Sequence, residues 1–209
     1  MSDPDFSSNV MNGEVIILHE GVCRYWPAWL AAGETDLLYQ QLLATVAWRQ
    51  DEIRMFGRTL PLPRLQAWYG DSGADYCYSG IQLEPLPWLP GLRALKTRVE
   101  QTTGAEFNSV LLNLYRSGQD SNGWHADDEP ELGDDPLVAS LSLGATRRFQ
   151  LRHKTNPSIP VRTLNLAAGS LFFMEAGMQR HWQHRIPKTR KNISPRINLT
   201  FRMVVDLYQ

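Results

Sequence analysis

The feature that most constrains the fold is a series of short segments rich in β-branched and aromatic residues after Gly104. Gly, Pro and Asn separate these segments along the chain. Residues of the first kind favour strands, and the separating residues favour turns. Short strands at such spacing are typical of a β-sandwich or a barrel. The segments are residues 110–116, 137–144, 147–153, 170–174, 181–186 and 196–205.

Two helices are expected before these strands. The first runs from about Glu34 to Trp48, where apolar residues recur at the spacing of one helix face. The second runs from Pro90 to Thr103, because Pro suits a first helical turn and Gly104 suits the residue that ends a helix. We therefore predict a mixed α/β fold that is mainly β. The apolar stripes are Tyr39, Leu42, Leu43 and Val46 in the first helix and Leu92, Leu95 and Val99 in the second.

The 209 residues, 43% of them hydrophobic, are expected to form one domain. Residues 1–13 are interpreted as a loose tail, and residues 49–81, dense in Gly, Pro and aromatics, as hairpins and exposed loops. No apolar run reaches about 18 residues, so no membrane span is expected. The two cysteines, Cys23 and Cys77, are far apart, which favours a reducing compartment. We expect a cytoplasmic monomer.

The charge distribution is uneven although the net charge is only −1. Residues 118–135 contain seven acids and no Lys or Arg, whereas residues 145–205 contain twelve basic residues and one acid. One interpretation is a solvated face that balances an acidic loop. The other is a cation-binding acidic loop within a surface that attracts a polyanion. Composition leaves both open.

His125 and Asp127 form an HxD pair whose side chains can point to the same side of an extended chain. A third ligand could come from the later histidines, His153, His181 or His184. Two histidines and one carboxylate leave part of an octahedral ion open, an arrangement typical of non-haem Fe(II) oxygenases. A tetrahedral zinc site is the alternative, but the absence of a thiolate near this pair makes it less favoured.

The last predicted strand carries a polar face. Alternation places Arg196, Asn198, Thr200 and Arg202 on one side and apolar residues on the other. An ordinary half-buried strand would turn this polar face to water. Together with Asn113 and Tyr115, which share a face of an earlier strand, the arginines could instead line a pocket for a small dicarboxylate. An Fe(II) site beside such a pocket indicates 2-oxoglutarate.

The sequence contains four ordered motifs: NxYxxGxDxxxWHxDDE over residues 113–129, SLSLGATRRF over 140–149, WQHRIP over 182–187 and PRINLTFR over 195–202. Together they resemble the AlkB family of Fe(II)- and 2-oxoglutarate-dependent dealkylating dioxygenases. The resemblance extends from about Arg54 to Val204. It implies a double-stranded β-helix (jelly-roll) core over residues 107–205, with N-terminal helices and a nucleotide-recognition lid over residues 49–81.

The resemblance also implies the metal and co-substrate residues. The family's metal ligands fall on His125, Asp127 and His184, with His181 excluded because the motif places the ligand in W-x-H-R-x-P. Fe(II), 2-oxoglutarate and O2 are the implied cofactor and co-substrates. Arg196 and Arg202 would each neutralise one carboxylate, in an order that the pattern leaves open. The residues implied for 2-oxoglutarate are Asn113, Tyr115, Arg196, Asn198 and Arg202.

Substrate contacts are predicted mainly from positions that match the family's lid. Phe56 would act as an apolar wedge or as an ordinary packing residue, and Arg64 would contact phosphate or pair with a nearby acid. Tyr69 and Tyr76 would stack on or contact the base. Asp128 would face the base, whereas Glu129 and Glu131 are interpreted as solvated loop acids, and Trp68 and Trp124 as core. The basic residues expected to contact phosphates are Arg147, Arg148, Arg152, Lys154, Arg185, Lys188, Arg190 and Lys191.

The function predicted from the resemblance is oxidative demethylation of N-alkylated bases, such as 1-methyladenine and 3-methylcytosine, in repair of alkylation damage. Nucleic acid is the expected partner, DNA first and RNA as an alternative. A base inside a duplex must be extruded or presented in a single strand to reach a buried metal. Two rivals stay open: an oxygenase that acts on a protein or a small molecule, and a binding module without turnover.

Overall fold

The computed structural model describes residues 13–55, 57–78 and 81–205, in which two β-sheets form the centre of the molecule. Strands and helices are numbered in chain order. The larger sheet has eight strands and is antiparallel except at its β5–β8 edge. In spatial order these are β1 (Glu14–Leu18), β2 (Gly21–Trp26), β14 (Leu171–Met174), β11 (Val138–Gly144), β16 (Arg196–Arg202), β9 (Ser109–Tyr115), β5 (Leu65–Gly70) and β8 (Leu86–Pro87).

The smaller sheet has four strands and packs face to face with part of the larger one. Its spatial order is β10 (Asn122–His125), β15 (Trp182–Ile186), β12 (Arg147–His153) and β13 (Arg162–Leu166). Phe149 and Trp182 of the small sheet join Tyr115 and Phe172 of the large sheet in one buried cluster. Two packed sheets of this kind confirm the predicted jelly-roll core and the mainly β fold class.

Helices cover the opposite face of the large sheet. They are α1 (Ala32–Thr45) and α2 (Pro90–Thr103), and a short helix, α3 (Met178–His181), precedes β15. The bounds predicted for α2 are confirmed, and Gly104 ends it with a φ of 72° in the left-handed region that glycine adopts at low cost. Leu42 and Val46 are buried as predicted. Leu43 is 37% exposed, so its place in the predicted stripe is wrong.

Strand alternation in β9 separates two interiors. Val110, Leu112 and Leu114 pack on the helix side, in the cluster that contains α1 and α2 residues. Asn113 and Tyr115 point to the other side, between the two sheets, where they line a polar cavity. The same division holds in β16, which pairs with β9 residue by residue. The fold thus places polar side chains of β9 and β16 in the space between the large sheet and the small sheet.

The N-terminal half contributes more to the large sheet than the sequence indicated. Strands β1 and β2 were not predicted, and β2 pairs with β14. Strand β5 pairs with β9 along its whole length, so residues 65–70 belong to the sheet rather than to a peripheral lid. The rest of the 49–81 segment contains a hairpin, β3 (Glu52–Met55) with β4 (Arg58–Pro61). A second hairpin joins β6 (Tyr76–Tyr78) to β7 (Ile81–Leu83). Within the described ranges, no helix is long and apolar enough to cross a membrane.

Candidate active site

The structure brings His125, Asp127 and His184 together at one end of the small sheet. His125 and His184 are paired neighbours on β10 and β15, and their ring centroids are 4.1 Å apart. Asp127 lies in the loop that follows β10. One ligand atom from each of the three residues lies within 4.8 Å of the others. Neighbouring strands thus supply the two imidazoles, and the adjoining loop supplies the carboxylate.

Both imidazoles are set up to be neutral electron-pair donors. Nδ1 of His125 lies 2.8 Å from the carbonyl oxygen of Gly123 and donates to it, which leaves Nε2 without a proton. Burial lowers the pKa of His125, and it lowers the pKa of His184 to about 3. A metal requires the neutral form of histidine. The protonation state that burial favours is therefore the one that a metal would need.

Asp127 has one oxygen held and one oxygen open. Nη2 of Arg202 donates to Oδ1 at 2.8 Å, and the side-chain oxygen of Gln179 accepts from the backbone N–H of Asp127 at 3.0 Å. Burial would raise the pKa of Asp127, but the Arg202 guanidinium outweighs it and holds the pKa at about 2. Oδ2 is buried without a hydrogen-bond partner among the described residues and lies 3.8 Å from Nε2 of His184. An unsatisfied carboxylate oxygen beside two neutral imidazoles fits a divalent cation.

The polar face of β16 forms the wall beside this cluster. Nη2 of Arg196 donates to Oδ1 of Asn198 at 2.6 Å, and Nδ2 of Asn198 donates to the hydroxyl of Thr200 at 2.7 Å. Tyr115 lies against Arg196, with its ring 5.4 Å from the guanidinium carbon. Nε and Nη1 of both Arg196 and Arg202 are buried without hydrogen-bond partners in the part of the chain that the structure describes. Two guanidinium groups with open donors suit a ligand that has a carboxylate at each end.

Arg64 occupies a different place from the predicted phosphate contact. It is 2% exposed, its Nε donates to Oδ1 of Asn113 at 2.8 Å, and its Nη1 donates to the carbonyl of Ser121 at 3.3 Å. A guanidinium buried in this way, bonded to an amide and a carbonyl, is not a surface phosphate contact. Because it lines the cavity with Asn113, Arg64 helps to shape the co-substrate wall.

The two tyrosines predicted to contact the base separate to opposite sides of the large sheet. Tyr69 lies in the helix-side core, 3% exposed, where its hydroxyl accepts from the backbone N–H of Ala47. This placement contradicts the predicted substrate contact, because the pairing of β5 with β9 directs Tyr69 away from the cavity. Tyr76 is also fully buried, so the predicted base contact is not open to it in this arrangement; it stacks on Trp68 at 5.1 Å and lies 5.8 Å from the Arg202 guanidinium. Trp68 is buried, as predicted.

The acids after Asp127 exchange the places that were predicted for them. Asp128 is exposed and its Oδ2 accepts from Nζ of Lys154 at 2.7 Å, so in this arrangement it faces solvent rather than the cavity. Glu129 is partly buried and interacts with the Tyr76 hydroxyl. Burial and then the Asp127 charge raise the pKa of Glu129. The sequence interpretation of Glu129 as a solvated acid is therefore wrong. Its spacing of two residues from Asp127 was the available signal.

The predicted phosphate contacts divide into buried and exposed groups. Arg147 is buried and donates to the carbonyls of Ser117, Asp120 and Pro187, which makes it a structural residue. Trp124 is not core: its ring lies between the guanidinium groups of Arg152 and Arg185, each 4.4 Å away. Arg148, Lys188, Arg190 and Lys191 are exposed, so their phosphate contacts stay a prediction. Phe56 lies outside the described residues.

Residues 22–202 match the 2OG-Fe(II) oxygenase superfamily. Alpha-ketoglutarate-dependent dioxygenase alkB homolog 3 of Homo sapiens is 46% identical over 191 residues, which are 88% of this chain and 66% of that protein. DNA oxidative demethylase ALKBH2 of Homo sapiens is 39% identical over 195 residues, 89% of this chain and 75% of that protein. This chain thus spans just under two thirds of the first relative's length.

Solved structures agree on the fold. OsALKBH1 superposes with a TM-score of 0.59 at 18% identity, over 90% of this chain and 100% of that one. An oxidoreductase of the 2OG-Fe(II) oxygenase family from Burkholderia pseudomallei gives a TM-score of 0.59 at 16% identity, over 86% of this chain and 84% of that one. On the strength of the matched profile and the ALKBH2 identity, the chain belongs to the AlkB family of Fe(II)- and 2-oxoglutarate-dependent dioxygenases.

Proposed function

We propose that this protein removes N-methyl groups from alkylated bases in nucleic acid, coupled to decarboxylation of 2-oxoglutarate. The observation that carries the proposal is the buried arrangement of an unsatisfied Asp127 oxygen, two neutral histidines and two arginines with open donors. The overall reaction consumes O2 and 2-oxoglutarate and releases succinate, CO2 and formaldehyde. Its products restore the unmodified base, which suits repair of alkylation damage.

His125, Asp127 and His184 would hold the iron, and the arginines would orient the co-substrate. Arg202 already contacts Asp127, so it would neutralise the carboxylate nearest the metal. Arg196 is six residues along β16 and would neutralise the other end, with Asn198, Asn113 and Tyr115 lining the space between. Bound Fe(II) would supply the activation of O2 that the protein's own side chains lack. The protein's contribution is position, charge and exclusion of bulk water.

Glu129, two residues after Asp127 and only partly buried, is the described group that we expect to meet a base beside the cavity. The Glu129 carboxylate can accept from an exocyclic amino group or attract a cationic methylated ring. Tyr76 is 0% exposed and contacts Trp68 and Arg202, so it would support this part of the site rather than stack on the base. Asp128 could meet the base only after releasing Lys154. The exposed basic residues Arg148, Lys188, Arg190 and Lys191 would contact the phosphates. Adenine and cytosine have the same size in DNA and in RNA, so base size does not distinguish DNA from RNA as the substrate. DNA is proposed first because the ALKBH2 relative is a DNA oxidative demethylase.

Formaldehyde release from methylated oligonucleotides tests the proposal. Purified protein with Fe(II), 2-oxoglutarate and ascorbate is incubated with matched single-stranded and duplex DNA and RNA that carry 1-methyladenine or 3-methylcytosine. We expect formaldehyde and succinate in equal amounts, with unmethylated strands as the control. Succinate without formaldehyde from any strand would favour the protein or small-molecule rival. Absence of both succinate and formaldehyde would favour a binding module without turnover. We also propose that the protein is a cytoplasmic monomer, which light scattering and fractionation test.

A further inference from the structure

All five histidines of the chain fall into two clusters, and only one of them belongs to the proposed active site. The second cluster consists of His19, Glu20, His153 and His181. Oε2 of Glu20 lies 3.5 Å from Nε2 of His19, 3.0 Å from Nε2 of His153 and 3.6 Å from Nδ1 of His181. Three imidazoles thus surround a single carboxylate oxygen.

Hydrogen bonds outside the cluster hold its three segments in place. His19 and Glu20 form the turn between β1 and β2, and the indole N–H of Trp182 donates to the His19 carbonyl at 2.8 Å. The backbone N–H of Lys154 donates to the His181 carbonyl at 2.8 Å, which joins the end of β12 to the end of α3. Glu20 has a φ of 57°, the left-handed conformation that non-glycine residues rarely adopt. The Trp182 bond to the His19 carbonyl thus holds the turn without involving the imidazoles or the Glu20 carboxylate.

The tautomer of His153 indicates whether this residue can bind a metal ion. The backbone N–H of Asn156 donates to Nδ1 of His153 at 3.1 Å, so the neutral ring carries its proton on Nε2 and donates it to Glu20. A ring nitrogen that carries a proton cannot bind a metal ion. His153 is accordingly a residue that orients Glu20, as carboxylate–histidine pairs commonly do around metal sites.

Among the described residues, no backbone N–H is seen to donate to a ring nitrogen of His19 or His181. Ligand atoms on a tetrahedral zinc ion with bonds of about 2.0–2.1 Å lie ~3.4 Å apart. The distances of 3.5 and 3.6 Å from Glu20 Oε2 to His19 and His181 are close to that spacing. The compact group, in which every ligand atom lies within 4.8 Å of the others, is His19, Glu20 and His153, so an ion at His19, Glu20 and His181 requires the His19 and His181 rings to move closer together. Side chains of His19 and Glu20 are 60% and 46% exposed, so they can rotate toward an ion from solvent.

We propose that His19, Glu20 and His181 form a second divalent-cation site that takes Zn²⁺, with His153 orienting the carboxylate and water completing the coordination. Imidazole nitrogen suits zinc better than it suits Mg²⁺ or Ca²⁺, which prefer oxygen ligands. The bound ion would tie the β1–β2 turn to the end of α3, three residues before the proposed ligand His184. Its role is structural, because it lies apart from the cavity between the sheets.

Zinc stoichiometry tests this site separately from the first one. Zn²⁺ binding is measured by equilibrium dialysis and metal analysis on wild-type protein, on the His125→Ala/His184→Ala double variant, and on that double variant with Glu20→Gln added. We expect two, one and no tightly bound zinc ions respectively. Glu14→Gln, an exposed acid in the same hairpin, is the matched control and retains the ion in the double-variant background.

Two further measurements guard against misfolding and chance binding. Co²⁺ bound to the His125→Ala/His184→Ala variant should give the intense visible absorption of a tetrahedral site, and His19→Ala should remove it. Glu20→Gln alone should leave formaldehyde release with Fe(II) unchanged. The proposal is overturned if the double variant binds no zinc, or if Glu20→Gln weakens zinc binding no more than Glu14→Gln does. A tenfold excess of Mg²⁺ that displaces the zinc would also contradict it.

Discussion

The outer face of the small sheet and the inner face of the large sheet carry arginines in opposite situations. On the outer face, Arg152 donates to Gln183 and Arg185 donates to Gln150, and both guanidinium groups flank Trp124. Across the interior, Arg196 and Arg202 are buried with donors that no described group satisfies. Leaving such donors buried costs free energy, about 1–3 kcal/mol for each neutral group and more for charged ones. The outer arginines have hydrogen-bond partners within the protein, whereas the inner ones keep buried donors that a ligand could satisfy.

Removal of an inner metal ligand is expected to have the largest effect. His184→Ala takes away one of the two imidazoles beside Asp127 and should abolish formaldehyde release. Even substitutions of groups that only support ligands cost about 10–100-fold in metal affinity or activity. His181→Ala, three residues earlier and outside the cavity, should retain most of the turnover. If His181→Ala abolished turnover and His184→Ala spared it, the assignment of ligands to the inner cluster would be wrong.

Two arginine–carboxylate ion pairs, one buried and one partly exposed, are expected to contribute differently to stability. Arg202→Met leaves Asp127 buried and unpaired, so the free energy of unfolding of chelator-treated protein should fall by about 3–5 kcal/mol. Arg24→Met removes a partly exposed pair with Glu175 and should cost about 1 kcal/mol or less. Urea titration measures both. Equal losses would show that burial does not distinguish the two pairs.

Addition of Mn²⁺ tests whether a cation binds beside the buried Asp127. A cation bound at His125, Asp127 and His184 would supply part of the charge that Arg202→Met removes. Saturating Mn²⁺ should therefore raise the midpoint of unfolding of Arg202→Met and leave the deficit of Arg24→Met unchanged. No differential rescue would argue against a cation beside Asp127.

Arg196 separates co-substrate binding from metal binding. Arg196→Met should raise KM for 2-oxoglutarate at least about thirtyfold, equivalent to about 2 kcal/mol, because it removes the partner of one carboxylate. Mn²⁺ affinity should stay within a factor of about two, because Arg196 contacts Asn198 and Ser142 rather than a proposed metal ligand. Arg152→Met on the outer face is the control and should change neither constant.

The inner face was predictable where strand alternation alone decides it. Arg196, Asn198 and Arg202 share a face of β16 because the period of a strand is two. The structure places Asn198 and Arg202 at the cavity wall and Arg196 beside them, bonded to Asn198. Tyr69 was misplaced because its side depends on the pairing of β5 with β9, which joins residues about 40 positions apart in the chain. The role of Arg64 likewise depends on Asn113, 49 residues away.

The outer face was less predictable for a related reason. A basic residue in a sequence gives no sign of whether its donors are already satisfied. Arg147 is occupied by three carbonyls, whereas Arg148, next to it, is exposed, because neighbours on a strand point to opposite faces. Trp124 was interpreted as core. Its neighbours on β12 and β15 instead place it between two cations.

The smallest expected effects are those of the exposed basic residues, and they test whether the outer surface contacts nucleic acid at all. Arg190→Ala and Lys191→Ala should each weaken binding of a methylated oligonucleotide similarly for every sequence. Each should also reduce the slope of log affinity against log salt by about 0.7–0.9, the value for one lost phosphate contact. Arg93→Ala, exposed on α2 at the far side of the large sheet, should leave the slope unchanged. Because Arg196 is buried and away from phosphates, Arg196→Met should also leave the slope intact while impairing turnover, and a change in slope for that variant would erase the distinction between the two faces.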